Sequence, residues 1–373
     1  MPLLNSIQIQ PFTGLTGQLA EVLADIVQKI DIRSDFSIHH PDYQPLELAS
    51  EVVNRFQKMP SQMQQKYLSL QLRSFLYGIY YNGSLRSSLS LDGAANNLPL
   101  DVENNNFLGV DLSFYEQLHK SNSGEGYFDA GWSVIREESD GSLAVTKGGL
   151  KLHIQRDKHL KNIDKNAKLG DFVAINLPKN RVQNGFYMAV SNQGFNRLDN
   201  TKYQPTTVRI YFNFTPQCAV AVMASLTQQL NNLLIPFSFK VLYNPKDYER
   251  HDSGVLFFDK RDYEAVREVL QVVYRENKLG FKLEVPLFTK QLAPGLSLAE
   301  EPDQKFAVQE SFGVNRCQIV ANGLLAAWYQ GEQSIEGRIG AIYEEFSRLR
   351  IDLHRVYLNS ESEDIYRQVE LGN

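Results

Sequence analysis

The sequence predicts an α+β fold in which an antiparallel-rich sheet core has helices at both ends. Apolar residues recur at three- and four-residue steps in the N-terminal part and again after residue 314, but at two-residue steps between them. The predicted strands follow one another, mostly as hairpins, instead of alternating singly with helices. That order is typical of α+β proteins and argues against a doubly wound parallel sheet.

The N-terminal part is predicted to be helical. A first helix runs to about Ile30, a second starts near Leu46 and is limited by Pro60, and a third covers residues 62–80. The polar residues 82–106 are typical of a long surface loop, and loops of this length are often functional. The apolar stripe of the first helix consists of Leu15, Leu19, Val22, Leu23, Ile26 and Ile30.

From residue 131 the chain is predicted to form strands. Residues 132–137 and 142–146 flank Asp140-Gly141, which is a strong hairpin signal. We divide the chain into an N-terminal helical region, residues 1–125, and an α+β region, residues 126–373, that carries the candidate site. Further strands are predicted at 150–155, 172–177, 186–190, 208–214, 237–243 and 255–258, and helices at 218–234, 261–277, 314–329 and 335–353.

Composition excludes several functional classes. The 373 residues include 38 Lys and Arg against 43 Asp and Glu, a net charge of −5 that is not typical of a general nucleic-acid binder. The two cysteines, Cys218 and Cys317, are too few for a disulfide framework and too far apart for a thiolate zinc motif. The histidines lack metal-ligand spacing, and no phosphate-binding loop, zinc-protease or serine-hydrolase motif is present. We expect neither a metal nor a cofactor.

We find no targeting or membrane-spanning signal in the sequence. The N-terminus lacks a basic stretch followed by a long apolar run. The most apolar window, residues 218–226, is too short to cross a bilayer. We therefore expect a cytoplasmic protein with no membrane partner.

Lys151 and His153 are the first candidate site residues. They alternate with Leu150, Leu152 and Ile154, so we expect the apolar three to enter the core and the polar two to share the opposite face. A neutral histidine exchanges protons near neutral pH, and a neighbouring cation lowers its pKa. The alternative is an ordinary solvated face of a half-buried strand, and this short pattern alone favours it.

A second group follows one predicted strand later. Lys179 and Arg181 come at a strand end, where they can place an amine and a guanidinium in one cleft, and Tyr187 follows on the next strand. A basic surface turn is the alternative, and the sequence alone does not choose between them.

Basic residues also occur within strongly apolar strands. Arg209 and Lys240 alternate with apolar residues, and Arg250 and Asp252 precede another apolar strand. An unpaired buried charge is costly, so Arg209 needs a partner. That partner is either a bound anion or an internal carboxylate such as Asp252, and the two possibilities have nearly equal weight.

At these residues the sequence resembles the HopA-type effector family, and it is similar to the stand-alone lyase subunits that work with a kinase in lanthipeptide biosynthesis. The resemblance covers roughly residue 150 to the C-terminal helices. The matching segments are Lys151-Leu-His153, residues 177–187, Val208-Arg209-Ile-Tyr-Phe-Asn213, Phe239-Lys240-Val241-Leu242, Tyr248-Glu-Arg250-His-Asp252, Ala293-Pro294-Gly295 and Ser311-Phe312-Gly313-Val-Asn-Arg316.

That family is similar in turn to phosphothreonine lyases, so the resemblance implies a phosphothreonine-lyase-like fold. It also implies β-elimination of phosphate from a peptide that a partner Ser/Thr kinase has phosphorylated. Lys179 is then the base and His153 the general acid, with Lys168 as a rival base. The residues implied to contact phosphate or substrate are Lys151, Arg181, Tyr187, Arg209, Lys240, Arg250, Asp252 and Arg316.

Two functions remain open at this point. One is the phosphoserine/phosphothreonine lyase, and the other is a non-catalytic HopA-like effector that binds a protein partner. Residues 147–181 contain nine Lys and Arg against three Asp, although the whole chain is acidic. A concentrated basic segment of this kind suits a small, localised anion such as one phosphate on a peptide better than a long polyanion.

Overall fold

The structure is a computed structural model and describes residues 17–91, 106–107, 109–195 and 205–369. Within these residues it confirms the α+β class and the antiparallel pairing of the strands. The predicted loop at residues 82–106 lies largely outside the described residues. No helix among the described residues is long and apolar enough to cross a membrane.

The N-terminal part contains the three predicted helices and a small sheet that the sequence did not reveal. Leu46 ends a strand and does not start a helix, and the second helix begins only at Ser50. The missed strands are two to four residues long, too short to show a hydrophobic period. The elements are α1 (Gln18–Lys29), β1 (Asp31–Ile32), β2 (Ile38–His40), β3 (Tyr43–Leu46), α2 (Ser50–Phe56), α3 (Ser61–Leu76) and a π-helical turn (Tyr77–Tyr81).

The middle part forms a four-stranded antiparallel sheet with its own small core around Trp132. The predicted Asp140-Gly141 hairpin is confirmed, and Gly141 has the positive φ of 80° that the turn requires. The elements are β4 (Asn106–Phe107), β5 (Val110–Asp111), α4 (Leu112–Ser121), β6 (Tyr127–Glu137), β7 (Leu143–Lys147), β8 (Leu150–Ile154), α5 (Arg156–His159) and β9 (Phe172–Leu177). The sheet order is β8-β7-β6-β9.

The remaining strands form a seven-stranded antiparallel sheet. Its elements are β10 (Asn180–Gln183), β11 (Phe186–Val190), β12 (Thr207–Phe212), α6 (Pro216–Asn232), β13 (Phe237–Leu242), β14 (Gly254–Asp259), α7 (Tyr263–Asn277), β15 (Lys290–Ala293), β16 (Leu296–Glu300), α8 (Phe312–Tyr329) and α9 (Ile335–Arg348). The order is β10-β11-β13-β14-β12-β16-β15. The sequence analysis missed β10, β15 and β16.

Two layers of helices cover the large sheet. Alternate residues of β12 point to opposite faces: Ile210 and Phe212 join the core formed with α4, α6 and α7, whereas Tyr211 joins the core formed with α8, α9, α1 and α3. The second core therefore includes helices from both ends of the chain. The division at residue 125 stays a prediction, and the packing of α1 and α3 against the C-terminal helices runs across it.

Candidate functional site

A cleft opens on the α8 side of the large sheet, and we call it the Lys240 cleft. Its volume is about 380 Å³, and its lining includes Met188, Arg209, Lys240, Phe257, Glu301 and Lys305. Strand register explains why these side chains meet. Lys240 on β13 pairs with Met188 on β11, and Arg209 on β12 pairs with Phe257 on β14, so all four lie on one face.

Two of the arginines that were expected to hold phosphate, Arg209 and Arg250, each have a carboxylate partner. Arg209 donates through Nε to Glu301, which also accepts from Lys305 at 2.5 Å. Arg250 donates to both oxygens of Asp252, at 2.6 and 2.9 Å. The arginine–carboxylate alternative is therefore present in the structure, but the partner of Arg209 is Glu301 and not Asp252.

Lys240 differs from both arginines. Among the described residues, no hydrogen bond or ion pair holds its amine, which lies 4.4 Å from the centre of the Phe186 ring and 5.5 Å from that of Phe257. Burial, and next the charge of Arg209, lower the pKa of Lys240 to about 8, although Asp252 and Glu301 oppose this change. The amine is thus partly neutral close to physiological pH.

Asp252 connects the cleft to the N-terminal part of the chain. Its carboxylate accepts hydrogen bonds from Tyr77 at 3.3 Å and from Asn82 at 3.2 Å, and it is 5% exposed. Burial raises the pKa of Asp252, but Arg250 and Lys240 outweigh burial and hold it below the usual value. The carboxylate therefore remains charged and fixes the Arg250 guanidinium.

Arg181 and Tyr187 lie on opposite faces of the large sheet. Arg181 pairs with Met188 across β10 and β11, so it shares the face of the Lys240 cleft, and its guanidinium lies 5.0 Å from the centre of the Phe195 ring. Tyr187 is fully buried on the α4 side. Burial raises its pKa.

Lys179 belongs to a polar cluster with Tyr187 at the C-terminal end of α4. The Lys179 amine donates to the backbone oxygen of Asn122 at 2.8 Å. The Asn122 amide donates to the Tyr187 hydroxyl at 3.0 Å, and His119 Nδ1 lies 3.2 Å from the same hydroxyl. Burial and the charge of Lys179 lower the pKa of His119. The predicted base therefore lies on the α4 side of the sheet, away from Arg209 and Lys240.

Lys151 and His153 lie on the solvent-facing side of β8 in the four-stranded sheet. His153 is 3.5 Å from Glu138, and about two thirds of its side chain is exposed. The expectation that Leu150 enters the core is wrong, since it is 54% exposed at the sheet edge. β8 is three strands from β9, or about 14 Å at about 4.8 Å per strand. The structure therefore does not bring His153 to Lys179, which follows β9.

Arg316 is the most deeply buried of the arginines that were predicted to bind phosphate. It is 1% exposed and donates to the backbone oxygens of Val356 at 2.8 Å and Leu358 at 2.9 Å, and to the Asn315 side chain at 2.6 Å. Its donors are used inside the core, and it does not line the Lys240 cleft. Arg316 fixes the C-terminal segment against α8.

The sequence analysis missed three residues of the site: Phe186, Phe257 and Glu301. The two phenylalanines were assigned only as strand residues, and the register that places them around Lys240 depends on pairing between distant strands. Glu301 follows β16, a strand that was not predicted. One usable signal was the pair Glu300-Glu301 directly after an apolar stretch.

Comparison with known proteins covers the segments quoted above from residue 177 onward. Residues 177–358 match the HopA1 effector protein family. The resemblance to the HopA-type effector family is thereby confirmed. The HopA1 segment, as we call residues 177–358, contains Lys179, the Lys240 cleft and Arg250, but neither Lys151 nor His153.

Two effector proteins of Pseudomonas syringae are similar in structure. The effector of pv. tomato strain DC3000 has 15% identity and a TM-score of 0.39. The effector of pv. syringae strain 61 has 16% identity and a TM-score of 0.39. In both comparisons the alignment covers 67% of this chain and 81% of the other. No curated protein matches the chain.

Proposed function

We propose that this protein is a phosphoserine/phosphothreonine lyase that removes phosphate from a peptide by β-elimination and leaves dehydroalanine or dehydrobutyrine. The observation that carries the proposal is the Lys240 cleft, where an amine without an ion-pair partner among the described residues lines the same cleft as Arg209 and shares the Phe186 ring with Arg250. Relationship to HopA-type effectors, and through them to phosphothreonine lyases, supports the same reaction.

The cleft has the chemistry to hold a phosphate monoester. Arg209, Lys240 and Lys305 supply positive charge, and two of these already share Glu301. The N-terminus of α8, capped by Ser311, also borders the cleft. Helix N-termini favour anions through their free N–H groups. A phosphate entering the cleft therefore meets three basic side chains, with Glu301 and Glu310 as the carboxylates of the lining.

β-Elimination makes two demands that this environment suits. The α-proton of a peptide residue is weakly acidic, so the reaction needs an unprotonated base close to the Cα atom. The phosphate must also be held so that its Cβ–O bond can break, and bidentate cations do this well. The roles of His153 as acid and Lys179 as base remain predictions from the resemblance, and the proposal does not depend on them.

The same resemblance supports a biological context. A lyase of this kind needs a substrate that a Ser/Thr kinase has already phosphorylated, so we propose a partner kinase and a precursor peptide of the lanthipeptide type. Expression of the protein with a candidate kinase and peptide from the same gene neighbourhood tests this context. Dehydroamino acids that form only when all three are present support it.

The reaction itself is tested by incubating the full chain with Ser- and Thr-phosphorylated peptides and following their mass. Loss of phosphoric acid, giving an alkene that a thiol traps, is the expected result. Return to the unmodified hydroxyl would identify a phosphatase and contradict elimination.

A second candidate function is binding of a protein partner without catalysis. The four-stranded sheet and its loops expose large apolar side chains beside basic ones, which favours an interaction surface. Phosphopeptides that stay intact while Phe172→Ser abolishes binding of a partner would favour this function over the lyase. The exposed residues are Leu150, Ile163, Leu169 and Phe172, which are between 54% and 86% exposed.

A further inference from the structure

Three lysines can be compared as the base of the proposed lyase. Lys168 lies on an exposed loop of the four-stranded sheet, distant in the fold from the Lys240 cleft. The Lys179 amine donates a 2.8 Å hydrogen bond to a backbone oxygen, which holds it on the α4 side of the sheet. Lys240 alone among the three lines the cleft that also contains Arg209.

The surroundings of Lys240 are those of an amine that can accept a proton. Its stem is fixed in the middle of β13 by neighbours on both sides, Met188 and Val255. Its amine lies over the Phe186 ring and is not held by a carboxylate, because Glu301 and Asp252 are engaged by Arg209 and Arg250. The cleft therefore offers a lysine whose lone pair, when neutral, has no competing partner among the described residues.

We propose that Lys240, and not Lys179, is the base that removes the α-proton. This inference rests on the proposed lyase function and specifies the base at its site. The Lys240 amine forms an N–H bond with the proton as the Cα–H electron pair becomes the second bond between Cα and Cβ. The Cβ–O bond breaks, and the phosphate leaves with its electron pair. Lys240 then returns its proton to solvent, so atoms and charge balance without an oxidant or reductant.

The charges that face Lys240 set the pH range in which it acts. Arg209 on β12 and Arg250 before β14 lower its pKa, while Asp252 and Glu301 raise it. Lys305 and Glu310, from the segment before α8, also line the cleft. With the pKa at about 8, a substantial fraction of the amine is neutral at mildly alkaline pH, whereas an ordinary lysine is almost fully protonated there.

Lys240→Arg tests the inference because it keeps the positive charge but removes the base. We expect kcat for elimination to fall by about 10²–10⁴-fold, the usual contribution of a general base, while phosphopeptide binding persists. Lys278→Arg, an exposed lysine that follows α7 on the other side of the sheet, is the matched control.

A chemical rescue separates a base from a structural cation. Lys240→Cys, alkylated with 2-bromoethylamine, regains an amine whose pKa is lower than that of lysine. Selective alkylation is feasible because Cys218 and Cys317 are 7% and 1% exposed. We expect activity to return with the acidic limb of its pH profile displaced to lower pH. Rescue with an unchanged profile would overturn the role of Lys240 as base.

The remaining outcomes separate the inference from the function on which it rests. If the wild type forms no alkene from any phosphopeptide, the proposed lyase function fails. If the wild type forms the alkene, and Lys240→Arg retains full kcat while Lys179→Arg loses it, the lyase function stands and the assignment of Lys240 fails.

Discussion

Replacing Lys240 by methionine is expected to stabilise the fold at neutral pH, although the same change removes the proposed base. Met has a similar length and no charge, so it fills the space between Phe186 and Phe257 without needing solvation. In the wild type, by contrast, an ammonium group in a largely desolvated site lowers the free energy of unfolding, because the nearby carboxylates already have partners. Residues of functional sites often reduce stability in this way.

The size of the effect follows from the pKa of Lys240. A decrease from 10.5 to about 8 on folding corresponds to about 3 kcal/mol of unfavourable charge burial at pH 7. Cation–π attraction to the faces of two aromatic rings stabilises the protonated form and offsets about 0.5–2 kcal/mol of this cost. We therefore expect Lys240→Met to raise the free energy of unfolding by about 1–3 kcal/mol at pH 7.

The pH dependence gives the prediction its sign. Between about pH 8 and 10.5 the unfolded chain holds a proton on Lys240 that the folded chain has lost, so the stability of the wild type rises with pH in this window. The advantage of the Met variant is therefore full below pH 8 and disappears as the pH approaches 10.5. Urea unfolding of both proteins at pH 7 and pH 10 measures it. Equal stability at pH 7, or an advantage that grows with pH, would refute the reasoning.

Three further predictions concern the groups around the cleft and the core behind it. Asp252→Asn leaves Arg250 without its buried counter-charge, and we expect it to lower the free energy of unfolding in urea by about 3–5 kcal/mol. Glu116→Gln, at an exposed ion pair, is expected to change this free energy by less than about 1 kcal/mol. Similar losses in both variants would contradict the prediction. Glu301→Gln removes a negative charge that raises the pKa of Lys240, so we expect the acidic limb of the pH–rate profile to move to lower pH. A move to higher pH would be inconsistent with Lys240 as the base. Arg316→Met leaves buried backbone oxygens without donors, so we expect the free energy of unfolding to fall by at least about 2 kcal/mol. The KM for phosphopeptide is expected to stay unchanged. A raised KM with normal stability would instead show that Arg316 belongs to the binding site.

The sequence revealed those parts of the fold whose hydrophobic period extends over several residues. α6, α7 and α8 and most strands of the large sheet were predicted because a helix or strand of this length repeats its pattern. β10 was not predicted, because Asn180 and Arg181 alternate with too few apolar residues to show a period of two. β15 and β16 meet at Gly295, whose positive φ of 69° turns the chain directly back, and the short strands beside it gave no pattern.

The candidate site was only partly predictable for a different reason. Arg209, Lys240 and Arg250 were identified because a basic residue inside an apolar strand needs an explanation, and the structure brings these three together. Which carboxylate neutralises which arginine depends on strand order, and Glu301 reaches Arg209 only because β16 lies beside β12. The resemblance likewise implied that His153 and Lys179 act at one site, whereas β8 and β9 lie at opposite edges of their sheet.

The most direct test of the lyase proposal follows the oxygen atoms of the released phosphate in water enriched in ¹⁸O. Elimination breaks the bond between Cβ and oxygen, so all four oxygens of the phosphate come from the peptide. We predict that the full chain releases unlabelled phosphate together with one dehydroamino acid per phosphate. Phosphate that carries ¹⁸O, with serine or threonine restored in the peptide, would show attack of water at phosphorus and would contradict β-elimination.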